Sequence, residues 1–490
     1  MRLDFLNKFI TYGLGNVLQS ALSLILLPLY LRYLSPEEYG VVSVLSVTMS
    51  LLALTIGAGM MNGLIRLYYE TEDLQRKKLI GSTWLWYLTV AALGGVALFT
   101  QANTMSVVFF STDTYGGSFR TIGITFFFIM AQIVPFYILR LEKKAGHYVA
   151  FSFVNFIVDF VLKLYFIKSM GLGIEGYFAS SAIANMITLV IMIPYVYGNV
   201  KFAPDFETTL KLMKLGFPYI FSGIAVWTID VSDRLLLNHY SGGAAVGVYS
   251  VAYNFANIFR VLLATPASLL VDPFFFSFAA SRSVEDTREL LKKMLIYSLL
   301  AGGVLYLGIA LASGEALRVL VNSFGANKDY LNAAELIPIL TLAPFVYFLV
   351  MPSILGGLWV NKPAVFSVAC TFAALANAAL NFFVIPKYGA MGAAVTTVIA
   401  YLFLFGLSYG RLERFLHGNY PWGKIVCGVF FLVFSFAVGS QFWLNNPIAS
   451  LLVRALVGVI IFILLVLFTG GILTKAERIK IFSIRTLIKL

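Results

Sequence analysis

The chain has 490 residues, of which 60% are hydrophobic and 12% are charged, and its formal net charge is +12. Soluble proteins average about 45–50% apolar and about 25% charged residues, so this composition excludes a soluble globular enzyme. A surplus of basic residues would suggest nucleic-acid binding in a soluble protein, but in a membrane protein Lys and Arg gather at the cytoplasmic ends of the spans.

Fourteen apolar runs follow one another along the chain, and each is long enough to cross a bilayer. A spanning helix needs about 20 apolar residues. The runs cover 9–31, 40–64, 81–101, 119–139, 148–168, 174–197, 215–238, 247–270, 294–313, 336–360, 364–385, 390–410, 425–445 and 448–470. Because backbone polar groups cannot stay unpaired in hydrocarbon, each run is predicted to be a helix. The predicted fold class is an all-α polytopic membrane protein with about 14 transmembrane helices.

The basic residues alternate in phase with these runs. If the N-terminus is cytoplasmic, 25 of the 35 basic residues lie on the cytoplasmic side and six lie on the opposite side. The other four lie well inside runs, away from their ends: Lys163, Arg234, Arg260 and Arg454. A missed helix would invert every later loop and spoil this asymmetry, which therefore predicts that both termini are cytoplasmic. We interpret the positive net charge as the signal that orients the protein in the membrane, and no nucleic-acid partner is expected.

Two pairs of short segments resemble each other across the chain. Gly173 and Gly176 match Gly389 and Gly392 at an offset of 216, and the segment 40–43 matches 247–250 at an offset of 207. Both offsets place each span against the span six later. We therefore expect two six-helix bundles related by a parallel repeat, at 1–200 and 201–424, and a C-terminal helical hairpin with a basic tail at 425–490. Such repeats are typical of transporters, whose substrate site lies between them.

Seven charged residues lie well inside the predicted spans, away from the first and last two residues of each run. They are Asp159 and Lys163 in the fifth span, Asp230, Asp233 and Arg234 in the seventh, Arg260 in the eighth and Arg454 in the fourteenth. A charge at the bilayer centre costs about 2.5–3.5 kcal/mol, so these side chains are expected to face the bundle interior or a wet cavity. Arg454, which is close to a helix end, is instead expected to extend toward the membrane surface.

The spacing of these charges leaves two interpretations open. Asn155, Asp159 and Lys163 recur at every fourth position and share one helix face, and Asp230 and Arg234 have the same spacing. The groups could be internal ion pairs that hold helices in register. Alternatively, they could line a cavity that binds an anionic headgroup and a coupling cation, because the fifth and seventh spans belong to different halves. Arg260, with no acid nearby in sequence, is the best single candidate for binding an anion.

Other chemistries find little support. The segment 418–425 has the glycine and lysine spacing of a phosphate-binding P-loop, but Ile425 stands where magnesium binding needs Ser or Thr. The three histidines are far apart and lack metal-ligand spacing, and Cys370 and Cys427 lie in apolar runs where packing is the expected role. We expect no cofactor, no metal site and no catalytic residue. A membrane polymerase or glycosyltransferase is disfavoured because no Asp-x-Asp occurs.

Several motifs follow one another in a characteristic order. They are Gly13-Leu-Gly-Asn16, Leu34-Ser-Pro-Glu-Glu-Tyr-Gly40, Gly216-Phe-Pro218, Ser232-Asp-Arg234 and Gly247-Val-Tyr-Ser250, with glycine turns at 171–176 and 389–392. In order and spacing they resemble bacterial oligosaccharide flippases, including O-antigen flippases. These form the polysaccharide-transporter branch of the multidrug/oligosaccharidyl-lipid/polysaccharide exporter superfamily. The resemblance covers essentially the whole chain.

The resemblance implies a protein of the bacterial inner membrane that serves polysaccharide biosynthesis, such as lipopolysaccharide assembly. It implies that an undecaprenyl-diphosphate-linked oligosaccharide moves from the cytoplasmic to the outer leaflet by alternating access, driven by an ion gradient or the membrane potential. Among the site residues, Asp233 and Arg234 match its motifs, whereas the others rest on the charge argument.

On this basis we assign substrate binding to Arg234, Arg260, Lys163 and Asp233, and coupling of a proton or sodium ion to Asp159 and Asp230. The alternative is a cation-coupled multidrug exporter of the same fold.

Overall fold

The computed structural model describes residues 26–57, 59–68, 70–142, 144–202, 205–362, 364–416 and 420–473. In these ranges every regular element is a helix. The α-helices are α1 (Leu27–Tyr33), α2 (Pro36–Ile56), α3 (Met60–Tyr68), α4 (Asp73–Thr100), α5 (Ala102–Phe110), α6 (Gly116–Leu141), α7 (Ala145–Lys163), α8 (Gly173–Val196), α9 (Phe206–Val231), α10 (Asp233–Phe259), α11 (Thr265–Ser281), α12 (Val284–Phe324), α13 (Ala333–Trp359), α14 (Ala364–Leu416), α15 (Trp422–Gln441) and α16 (Pro447–Thr469). Two π-helical turns, Leu164–Ser169 and Arg260–Ala264, and two 3₁₀ turns, Tyr197–Asn199 and Lys328–Asn332, complete the described elements.

The predicted membrane fold is confirmed. Within the described residues, 11 helical stretches are long and apolar enough to cross a bilayer. Two of them, Tyr219–Ser281 and Ala364–Arg414, each cover two of the predicted runs, with non-helical backbone at Gly242 and Gly389 in between. Residues 9–25 of the first run lie outside the described residues, so the number of fourteen spans stays a prediction.

Side-chain caps define where several helices begin. Ser35 accepts a hydrogen bond from the Glu38 amide while the Glu38 carboxylate accepts one from the Ser35 amide, so α2 starts with a complete capping box. Asp205 caps α9 through the Thr208 hydroxyl and the amides of Thr208 and Glu207. These hydrogen bonds, led by that of the Thr208 hydroxyl, lower the pKa of Asp205 because they stabilise its charged form.

Some helices extend well beyond their apolar runs. The ninth run, 294–313, lies inside α12, which is 41 residues long and starts at a Ser283 cap. The acidic residues Glu285 and Asp286 in its first turn suit the positive end of the helix dipole. Helical structure therefore continues through 284–293 and 314–324, where the apolar pattern predicts connecting segments.

The chain divides into two compact units, Met1–Ser250 with Ala374–Ala393, and Val251–Ala373 with Ala394–Leu490. In the first unit, glycines let helix backbones touch. A Cβ atom on Gly40 would overlap the backbone of Gly243, and one on Gly247 would overlap Pro36. Gly59 likewise lies against Gly216. Close contacts of this kind are typical of membrane helices, whose interfaces are enriched in small residues.

The second unit has an aromatic and aliphatic core of its own. The Phe259 ring packs edge-on against Phe345 and Phe348, with centroid distances of 6.0 and 6.1 Å, and Tyr306 stacks on Phe345. Helix α13 lies in this core although it contains three prolines, which remove backbone donors from the helix interior.

Both parts of the proposed repeat have structural counterparts inside the first unit. Gly173 and Gly389, which match at an offset of 216, have φ angles of +50° and +52°. Residues with a side chain rarely adopt a positive φ angle, so glycine is required at both turns. Ser43 and Ser250, which match at an offset of 207, contact each other through their hydroxyls at 2.7 Å. These equivalences support the parallel repeat, and the division at 1–200, 201–424 and 425–490 stays a prediction.

Candidate functional site

Asp159 and Lys163 form a buried ion pair on α7. Lys163 Nζ lies 2.5 Å from Asp159 Oδ2, and the lysine side chain is 5% exposed. The second carboxylate oxygen accepts a hydrogen bond of 3.0 Å from the Ser181 hydroxyl on α8. The i,i+4 spacing in the sequence predicts this pair, because such residues are neighbours on one helix face. Each charge therefore neutralises the other where little water can reach them.

A cavity adjoins this pair. Lys163 Nζ lies 4.3 Å from the centre of the Tyr177 ring, which adds a cation–π contact. Tyr177 and Ser181 also line a cavity of about 270 Å³ that is bounded by α2, α6 and α8. Ser46 and Ser50 contribute further hydroxyls to its wall. The hydroxyl that binds Asp159 thus belongs to a residue that also borders an internal space.

Buried amides continue the polar face of α7. Asn155 Nδ2 donates to Asn185 Oδ1 at 3.3 Å and to the Thr188 hydroxyl at 3.1 Å, and Gln132 also donates to Asn185 Oδ1. We call Gln132, Asn155, Asn185 and Thr188 the amide ladder. Sequence reasoning singled out Asn155 and missed the other three. The spacing of Ser181, Asn185 and Thr188, at four and three residues along α8, was the signal that could have found two of them.

The charged group of the seventh span lies where α9 meets α10. Asp230 is half-buried in the last turn of α9, and Asp233 is fully buried as the first residue of α10. Asp233 Oδ2 accepts a hydrogen bond from the Tyr249 hydroxyl of the same helix. Arg234 follows and is half-buried. The structure therefore brings these three predicted site residues to one helix junction.

Arg260 begins a π-helical turn in the second unit. Its Nη2 donates to the Tyr401 hydroxyl at 2.9 Å, and its guanidinium carbon lies 5.9 Å from the centre of the Tyr347 ring. These two tyrosine contacts orient the guanidinium. π-helical turns are frequent at functional sites, and Arg260 is the first residue of this one.

Arg454, which is expected from its sequence position to extend toward the membrane surface, is paired with an acid. Its Nη1 lies 3.5 Å from Glu315 on α12, a buried acid that sequence reasoning missed. Arg318 also pairs with Glu315, at 3.1 Å, and both guanidinium groups lie over the Trp443 ring. The ion pair of Arg454 with Glu315 joins α16 to α12, because a buried carboxylate needs a compensating charge. The signal was an acid and an arginine three residues apart at a span end.

The predicted site residues fall into both units. Asp159, Lys163, Asp230, Asp233 and Arg234 belong to the first unit, and Arg260 belongs to the second. A single chamber shared by all of them stays a prediction. Among the residues that the structure describes, no group of three or more His, Cys, Asp or Glu could hold a metal ion. Cys370 is buried and Cys427 is half-buried within helices, consistent with packing.

Comparison with known sequences finds a related transport protein. Over 248 residues the chain is 24% identical to the succinoglycan biosynthesis transport protein ExoT of Rhizobium meliloti (strain 1021). The alignment covers 48% of this chain and 47% of ExoT, so the chain spans about half the length of this curated relative.

Comparison with solved structures identifies the fold. The lipid II flippase MurJ in an inward closed conformation matches with a TM-score of 0.74 at 16% identity, over 96% of this chain and 99% of that one. An inward-facing multidrug resistance MATE family transporter of the MOP superfamily matches with a TM-score of 0.66 at 14% identity, over 84% and 95%. At these identities the likeness concerns the fold, and the proteins named are transporters rather than enzymes.

A family model described as polysaccharide biosynthesis protein matches residues 5–279, which is more than half of the chain. Together with the all-helical membrane fold and the charges held inside it, this match shows that the chain belongs to the polysaccharide biosynthesis protein family.

Proposed function

We propose that the protein carries a lipid-diphosphate-linked oligosaccharide from the cytoplasmic to the outer leaflet of the bacterial inner membrane by alternating access. The family match, the transport protein among its relatives and the fold shared with a lipid II flippase support this proposal. The partners are the lipid-linked oligosaccharide, the surrounding membrane lipids and a coupling cation, either a proton or sodium.

The observation that carries the proposal is the placement of Arg260. A guanidinium inside an apolar helix is costly, yet the protein orients this one with a tyrosine hydroxyl and a tyrosine ring. Arginine binds phosphate oxygens through two parallel hydrogen bonds, so an oriented Arg260 suits a diphosphate. We assign the same role to Arg234, with Lys163 and Asp233 as further substrate contacts.

Ion coupling is assigned to Asp159 and Asp230. Asp159 is held by Lys163 on one oxygen and by Ser181 on the other. A proton or sodium ion that reaches this carboxylate would compete with Lys163 for it and release the lysine. Exchange of partners on one carboxylate is a way to link ion binding to a change in the surrounding helices. Asp230 is assigned as a second acid for the same cation because it lies in the junction with Asp233 and Arg234.

Reconstitution tests the proposal directly. We expect purified protein in liposomes to reverse the leaflet of a fluorescent prenyl-diphosphate oligosaccharide, and Arg260→Ala to slow this at least about tenfold, because one charge-assisted contact is worth about 1.5–3 kcal/mol. Arg120→Ala is the matched control, since Arg120 is an exposed arginine on α6 bound to Asn103. Wild-type rates in Arg260→Ala would refute the assigned diphosphate contact.

The competing function is cation-coupled multidrug export, and the fold shared with a MATE transporter favours it. The two functions differ in cargo charge, because a diphosphate is an anion and most exported drugs of this kind are organic cations. An efflux assay with an organic cation such as ethidium separates them. Gradient-dependent ethidium efflux together with no leaflet reversal of the prenyl-diphosphate lipid would replace our proposal with this one.

A further inference from the structure

A second cavity lies between α6, α7 and α8, within the first unit. Its volume is about 300 Å³, which is at the lower end of the range for sites of small ligands. The amide-ladder residues Gln132, Asn155 and Asn185 line one end, and Ser152 adds a hydroxyl. The cavity therefore offers several neutral donors and acceptors inside an otherwise apolar helix bundle.

One atom in this wall is unsatisfied. Gln132 is 9% exposed, and its Oε1 is a buried acceptor for which the described residues supply no donor. Its amide nitrogen is already used, because it donates to Asn185. Buried polar atoms in proteins are nearly always hydrogen-bonded. A ligand that brings a hydroxyl donor into the cavity would complete the amide ladder at this point.

Aromatic rings and a cation lie at the other end. Arg140 Nη2 donates to the Tyr148 hydroxyl at 2.5 Å, and its guanidinium carbon lies 4.6 Å from the Tyr148 ring centre and 5.4 Å from that of Tyr137. Phe136 packs edge-on against Tyr148. Arg140 lies in the last turn of α6 and Gln132 lies eight residues earlier, so about 12 Å of helix separates the cationic and amide ends.

We propose that this cavity binds one hydroxylated sugar ring of the transported lipid, an inference that rests on the proposed function. The ring lies among the amides and donates a hydroxyl to Gln132 Oε1, while the charge of Arg140, which is held over the Tyr137 and Tyr148 rings, receives the part of the headgroup nearer the phosphates. A side-chain amide can both donate a hydrogen bond to a sugar hydroxyl and accept one from it, because it has an NH₂ group and a carbonyl oxygen. The chemistry selects a neutral sugar rather than a drug-like cation.

The test compares lipids with and without a sugar on the full-length protein in detergent micelles. The probes are a prenyl diphosphate and the same lipid bearing glucose, galactose or N-acetylglucosamine, each titrated for its Kd. We expect at least one sugar-bearing lipid to bind about tenfold tighter than the sugar-free lipid. Gln132→Met, which keeps the side-chain length but removes the acceptor, is expected to abolish this preference and leave the Kd of the sugar-free lipid unchanged.

Thr188→Val is the matched control. Thr188 is a buried member of the amide ladder that accepts from Asn155 but does not line the cavity. We expect it to lower the Tm and keep the sugar preference, because buried polar contacts also hold membrane helices together. Equal affinities for all four lipids, or a preference that survives Gln132→Met, would overturn the sugar site. Failure of every prenyl diphosphate to bind would instead refute the proposed function.

Discussion

At the scale of single residues, the charges inside this protein are tolerated because neighbouring side chains form ion pairs or hydrogen bonds with them. Asp159 has Lys163 and Ser181, Arg454 has Glu315, and Arg260 has the Tyr401 hydroxyl. Breaking a buried pair by removing one partner leaves an uncompensated charge, whereas removing both partners can be nearly neutral. Compensation of this kind can be measured pair by pair.

Lys163→Met is expected to destabilise the protein by about 3 kcal/mol, because it leaves the Asp159 carboxylate without its ammonium partner in an apolar setting. The double variant Asp159→Asn/Lys163→Met is expected to recover most of this loss. Equilibrium unfolding in mixed micelles measures both free energies. A double variant as unstable as Lys163→Met alone would contradict the ion-pair explanation and indicate that the lysine stem contributes mainly by packing.

The sequence predicts contacts within a helix better than contacts between helices. The pairing of Asp159 with Lys163 follows from i,i+4 spacing alone. The contacts of Asn155 with Asn185 and Thr188 depend on which faces of α7 and α8 pack together, and one sequence does not define that. The pairing of Arg454 with Glu315 joins residues 139 positions apart and was missed for the same reason.

At the scale of elements, helix ends are set by caps and glycines rather than by hydropathy. An apolar window finds only the part of a helix that lies in hydrocarbon, so it predicts 294–313 where α12 spans Val284–Phe324. The same apolar window correctly separates 364–385 from 390–410. The helix breaks at Gly389, and the sequence shows a glycine turn at this position. Local caps and glycines therefore explain both why the break at Gly389 was predicted and why the ends of α12 were not.

Gly247→Ala is expected to destabilise the protein by about 1–3 kcal/mol, the usual cost of overpacking. Its Cβ atom would overlap the Pro36 carbonyl and push α10 away from α2. Gly406→Ala is the matched control, because Gly406 is also helical but has open space where the methyl group would lie. Thermal unfolding in detergent compares the two. Equal Tm values for both variants would refute the backbone contact.

At the scale of the whole molecule, composition and charge asymmetry predict a helical membrane protein with a defined orientation. The class is confirmed by the helices and by the fold shared with transporters of known structure. The number of fourteen spans stays a prediction from the apolar runs. Whether the site residues surround one chamber depends on long-range packing, which a single sequence does not define. The orientation remains open to a direct test.

Single cysteines report the orientation in a background where Cys370 and Cys427 are replaced by alanine. A cysteine at Asp286, exposed in the first turn of α12, is expected to react with a membrane-impermeant maleimide only after the cell is lysed. One at Asn445, exposed between α15 and α16, is expected to react in intact spheroplasts. Spheroplast labelling at position 286 but not at 445 would invert the predicted topology.

The hydroxyl contact between Ser43 and Ser250 pairs two positions that match at the 207-residue offset. In a homodimer, a residue near the symmetry axis meets its own copy, and the contact is called isologous. Here the copies reside in one polypeptide, so they are free to diverge. Enlarging either serine would crowd the other across this contact, so we expect the two positions to tolerate change together rather than singly.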